Sequence, residues 1–102
     1  MNHARKERIA HNESAARDLN DKLGMGTFIC ECGDMDCSGV VRMPRERYDS
    51  IRADPLHFFA LPGHEEPEAE DVVERRETFV VLRKHDDVTG IVRERDPRRP
   101  RR

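Results

Sequence analysis

TFICECGDMDCSGVVRM, residues 27–43, decides the fold. Residues 27–31 combine Thr27, Phe28 and Ile29 and read as a strand. Gly33, Asp34, Met35 and Asp36 are turn formers. Residues 38–43 carry Val40 and Val41 and read as the returning strand. The segment is therefore a hairpin with all three cysteines of the chain, Cys30, Cys32 and Cys37, gathered at its turn.

Upstream, residues 2–23 read as one helix, rich in Ala, Arg, Lys, Glu and Leu, with no Pro or Gly before Gly24. Ile9, Ala16, Leu19 and Leu23 fall near one face and are the expected anchors. Gly24 and Gly26 stop the helix, one of them as its C′ residue. Its weakly apolar first half is expected to be solvated or to dock on something else.

Downstream, Pro44 opens a short helix over 44–53, with Tyr48 and Ile51 one turn apart. Asp54-Pro55 ends it. Residues 56–61 read as a third strand, closed by Pro62-Gly63. Five acids in residues 65–71 suggest a solvated loop. Residues 72–75 and 78–84 read as a second hairpin. Residues 85–96 mix turn formers with Ile91-Val92, which could cap a sheet edge. The expected class is α+β: a long N-terminal helix over 1–24, then a small antiparallel meander over 25–96 with one inserted helix. The two prolines and four arginines of 97–102 are expected to form a disordered tail.

Composition bounds the core. The chain has 102 residues, 35% of them hydrophobic and 39% charged, with a net charge of −2. Leu, Ile, Val and Phe number 21, near the level at which chains stop folding. The near-zero net charge argues against disorder. A domain this small buries only about 60–65% of its extended surface. A staple beyond apolar burial is expected.

The cysteines offer that staple. Side chains at i and i+2 of a strand share a face, so Cys30 and Cys32 can reach one ion. The turn returns Cys37 to the same place. Three thiolates need one more donor for the tetrahedron zinc prefers. His64, aimed freely after Pro62-Gly63, is the expected fourth ligand of Zn²⁺. His57 in a strand, His85 in a charged turn, and His3 and His11 on the helix are poorer choices. No Lys or Arg occurs between Leu23 and Val41, whereas Glu31, Asp34 and Asp36 do. That suits a cation better than an activated thiol. Two other readings stand beside it: small buried core cysteines, or a redox switch.

The run Phe28-Ile29-Cys30-Glu31-Cys32-Gly33-Asp34 with Cys37 resembles a group of short uncharacterised bacterial proteins. The resemblance continues through Tyr48…Ile51-Arg52-Ala53-Asp54-Pro55…Phe58, Pro62-Gly63-His64-Glu65 and Val72-Val73-Glu74, spanning roughly residues 5–97. That group has no assigned activity to carry over. The resemblance implies that Cys30, Cys32, Cys37 and His64 belong to one feature.

No G-x-S-x-G, H-E-x-x-H or Gly-rich phosphate loop is present, so no enzyme is expected. No apolar run could span a membrane, and residues 1–10 lack an export signal. With three clustered thiols, this points to the cytoplasm. The expected function is a zinc-stabilised interaction or regulatory module. Its partner is another protein or a second copy, met through the N-terminal helix. One alternative is a nucleic-acid or ribonucleoprotein accessory using the six arginines of 93–102. The other is a thiol/zinc redox sensor.

Overall fold

The structure is a computed structural model and describes residues 3–34, 36–85 and 89–98. In order come α1 (His3–Leu23), β1 (Thr27–Ile29), β2 (Val40–Arg42), α2 (Arg45–Arg52), β3 (His57–Ala60), β4 (Glu70–Arg75), β5 (Val80–Lys84) and α3 (Thr89–Glu94). The class is α+β, and the strands are antiparallel.

The strands divide between two sheets. β1 and β2 form the hairpin, with Phe28 opposite Val41. The second sheet has the order β3-β5-β4, so β3 lies beside β5 and not beside its chain neighbour β4. The reason is apolar load. β5 carries three consecutive apolar residues, 80–82, directly after Phe79, and is buried on both faces at the sheet centre. Phe58, Ala60, Val80 and Leu82 face one core with Ala10, Cys30, Cys32 and Val92. Phe59, Phe79 and Val81 face the other with Phe28, Val41, Tyr48 and Ile51. The period-two alternation along β3 and β5 thus divides two cores. Tyr48 stacks on Phe28 at 4.4 Å between ring centroids and meets Phe59 edge-on.

Helix α1 docks by a face other than the one its apolar residues mark. Ile9, Ala10, Glu13, Ser14, Arg17 and Asn20 are buried. Leu19 and Leu23 are 50% and 73% exposed. The interior supplies polar partners, and these decide the docking. The Arg17 guanidinium donates to Pro55 O at 2.6 Å and to Val92 O at 2.9 Å, and lies 4.2 Å over the Phe58 ring. Lys84 Nζ sits 2.6 Å from Glu13 Oε1 and 3.1 Å from Glu70 Oε1, all three side chains fully buried. Arg52 pairs with Asp21 at 2.8 Å and with buried Asp96. The first half of α1, including Ile9 and Glu13, is therefore integral to the fold.

Other segments also differ from expectation. Gly24 is not left-handed; the only positive φ among the described residues is at Gly63. Gly24 is required for room, because a Cβ there would lie 2.3 Å from the Phe28 ring. The carbonyls ending α1 are instead satisfied by Arg45, which donates to Gly24 O at 2.6 Å and to Asn20 O at 3.3 Å. Within the acidic stretch, Glu70 is buried on β4. Ile91 and Val92 lie in α3, with Val92 in the core, and not at a strand edge. Arg98 pairs with Asp21 at 2.7 Å and Asp49 at 2.8 Å, so the packed body extends into the expected tail. Residues 99–102 lie outside the described residues.

Candidate metal centre

The site is built at the end of the β1–β2 hairpin, where the chain continues extended past Ile29. Cys30 N–H donates to Gly39 O at 2.9 Å, and Glu31 N–H to Phe59 O at 3.1 Å. The hairpin is thereby fixed to β3. Extended backbone alternates its side chains. Cys30 and Cys32 point into one core, and Glu31 points the opposite way. The turn closes when Asp36 N–H donates to Asp34 Oδ1 at 2.9 Å and Cys37 N–H to Asp34 O at 3.1 Å. Gly39 lets the strand pass close to Leu61: a Cβ there would lie 2.2 Å from Leu61 Cδ1. His64 arrives on the turn after β3, with His64 N–H donating to Leu61 O at 3.0 Å and Gly63 at φ 88°.

The structure brings together all four residues singled out in the sequence. One donor atom from each of Cys30, Cys32, Cys37 and His64 lies within 4.8 Å of all the others. His64 Nδ1 is 3.8 Å from Cys30 Sγ and 3.6 Å from Cys37 Sγ. A tetrahedral ion with bonds of about 2.0–2.3 Å has donor–donor edges of roughly 3.5–3.8 Å. The sulfur–nitrogen spacings fit that figure. Leu61 N–H donates to Cys30 Sγ at 3.2 Å, a contact that stabilises a thiolate. Burial pushes the Cys30 thiol pKa up, against the opposing pull of this N–H, and burial also raises that of Cys32. A divalent cation reverses that balance. The four donors can hold one metal ion.

The remaining histidines are engaged elsewhere or stand apart. His57 Nε2 lies 3.4 Å from Asp54, and His85 Nε2 lies 3.2 Å from Asp71. His3 pairs with Glu7, and His11 is exposed on α1.

Glu31 does not face the four donors, although its position between the cysteines counted as local negative charge. Its carboxylate is fully buried, accepting from Asn20 Nδ2 at 2.9 Å, Tyr48 Oη at 2.6 Å and Phe59 N–H at 3.2 Å. Burial raises its pKa to about 7, opposed by these donors. Glu31 therefore ties α1, α2 and β3 to the ligand segment. The strand alternation carries the signal for this outward turn. The Leu61 N–H and the Gly39 approach have no sequence signal, since both come from the β3 turn crossing the hairpin.

Beside the donors opens a cleft of about 270 Å³, lined by Cys32, Gly33, Asp34, Gly63, His64, Glu65 and Glu66. Ile9 covers Gly33, and Asn12 Nδ2 donates to Gly33 O at 3.0 Å, so α1 rests on the ligand loop. No helix among the described residues is long and apolar enough to cross a membrane. No protein-family model matches the chain, and no curated protein or solved structure matches it either.

Proposed function

We propose that this chain is a small zinc-stabilised interaction module with no catalytic activity of its own. The convergence of three thiols and one imidazole within 4.8 Å carries the reading. Soft thiolates with one imidazole suit Zn²⁺ rather than the hard cations that take oxygen donors. Four protein donors complete a tetrahedron and leave no position for a reactive water. The role is then structural. It supplies the staple that a core split in two and crossed by buried charges needs. Thiolate ligation also suits a reducing compartment such as the cytoplasm.

The interaction surface in this reading is the outer side of α1 and the adjoining hairpin. Leu19, Leu23, Met25, Ile29 and Val40 are exposed there, and a shallow cleft between Leu19, Leu23, Thr27 and Ile29 separates helix from strand. Self-association through this face predicts a concentration-dependent dimer in sedimentation. Leu23→Asp should abolish it without loss of zinc, and a monomer at every concentration removes self-association. For the zinc role, a strong chelator should unfold the protein by circular dichroism, and Zn²⁺ should refold it. Unchanged ellipticity after complete metal removal would remove the structural role. The nucleic-acid alternative is weakened by Arg98, whose guanidinium is occupied by Asp21 and Asp49.

A further inference from the structure

We infer that the same site is a peroxide-responsive switch in which Cys37 is the oxidised residue and Cys32 the resolving one. The inference rests on the zinc reading above and adds its regulation.

The three sulfurs are unequal. Cys30 and Cys32 are buried, and Cys37 is partly open to solvent. Cys30 Sγ accepts the Leu61 N–H, which withdraws electron density and ties the sulfur to the β3 turn. Among the described residues, no N–H donates to Cys37 Sγ; its neighbour at 3.6 Å is His64 Nδ1, the imidazole donor of the same site. Cys32 Sγ accepts no N–H either, but it is buried, so Cys37 is the sulfur that combines access to solvent with a charge no N–H neutralises, the two conditions for oxidation. Cys32 lines the open cleft beside the site, and Cys30 and Cys37 do not. The charged side chains lining that cleft are Asp34, Glu65 and Glu66. Arg5 and Arg8 line an adjoining cleft that shares Gly33, Asp34 and Glu66 with it. Asp34 and Asp36 form the turn that carries Cys37, and their charge disfavours anionic oxidants there. A neutral peroxide meets that limit.

The chemistry balances with hydrogen peroxide as oxidant. Cys37 thiolate attacks one peroxide oxygen; the O–O bond breaks, an S–O bond forms and hydroxide leaves. Cys32 thiolate then attacks the Cys37 sulfur. The S–S bond forms, the S–O bond breaks and a second hydroxide leaves. Two electrons pass from the two sulfurs to the peroxide. The sulfurs lie within 4.8 Å, and a disulfide needs about 2.05 Å, so only the turn between them has to tighten. Zinc, left with Cys30 and His64, dissociates.

The test uses the full chain as purified, with its zinc content measured first. A modest molar excess of hydrogen peroxide is added while a chromophoric chelator reports released zinc. Peptide mapping then locates the disulfide. The expected result is loss of the ion together with two of the three thiols, a Cys32–Cys37 linkage, Cys30 still free, and recovery of zinc binding after reduction. Retained zinc, a linkage involving Cys30, or Cys37 sulfinic acid without a disulfide would each overturn the switch while leaving the zinc reading intact. Folded protein purified without zinc would instead overturn the zinc reading, and the switch with it.

Discussion

Lys84→Met tests the account of how α1 is held. The substitution keeps the length and apolar stem of the side chain and removes only the ammonium. Lys84 Nζ lies 2.6 Å from Glu13 and 3.1 Å from Glu70, and none of the three side chains is exposed. Glu13 Oε2 already lacks a partner. Burial, followed by the charge of Glu70, pushes the Glu13 pKa well up, and Lys84 opposes them. Without the ammonium, two buried carboxyl groups face each other with no cation. Removing one partner of a buried ionic group costs about 3–5 kcal/mol. At about 4–8 °C per kcal/mol, the melting temperature should fall by at least ~12 °C. Urea unfolding of zinc-saturated protein measures the loss directly. Adding Glu13→Gln removes one of the stranded acids. The double variant should therefore lose less than the sum of the single changes, by about 1 kcal/mol or more. A loss below about 1 kcal/mol for Lys84→Met, with strict additivity in the double variant, would refute a dry, closed triad.

Three further outcomes are expected. Gly24→Ala should cost about 1–3 kcal/mol, because the added methyl meets the Phe28 ring at 2.3 Å and Asn20 O at 2.7 Å; Gly26→Ala, with nothing within 4 Å, should change stability by less than ~0.5 kcal/mol in the same denaturation assay. Deleting residues 1–14 removes Ile9, Ala10 and Glu13, and should abolish cooperative unfolding rather than leave a folded zinc body. Asp96 has a pKa held below the ordinary carboxylate value: burial raises it, but the Arg52 guanidinium, the Arg98 N–H and the charges of Arg17 and Arg52 outweigh burial. Its contribution is then complete above the unfolded value of about 3.9 and is lost only as pH falls through the lower folded value. The stability gap between wild type and Asp96→Asn should stay flat from about pH 5 to 8; a gap already shrinking at the acid end of that range would show an undepressed carboxylate.

Local features were legible in the sequence. The hairpin, the helix after Pro44 and the turn that aims His64 each depend on residues a few positions apart. Cys30 and Cys32 were legible as a pair because side chains two positions apart share a face, even though β1 itself ends at Ile29; Cys37 and His64 were legible from the turns that carry them. The docking face of α1 was not. An apolar stripe marks the buried side only when the interior is apolar, and here it offers Pro55 O, Val92 O, Lys84 and the edge of Glu31 to Arg17, Glu13 and Asn20. Leu19 and Leu23 were thus left outside. The order β3-β5-β4 was equally hidden, since pairing across the whole of residues 61–79 depends on which strand must be covered on both faces. Arg98 reads as tail because nothing near it in sequence is apolar; its partners Asp21 and Asp49 are 77 and 49 positions away.

The metal content of freshly purified, chelator-free protein tests the central claim most directly. One Zn²⁺ per chain is predicted, retained in the His57→Ala and His85→Ala variants and weakened in His64→Ala. Cys32→Ser and Cys37→Ser should lose the ion together with cooperative unfolding, because structural zinc contributes on the order of 10 kcal/mol of binding free energy coupled to folding. Less than about a tenth of an equivalent in protein that still unfolds cooperatively would contradict the account, since binding of that strength leaves almost no folded chain empty.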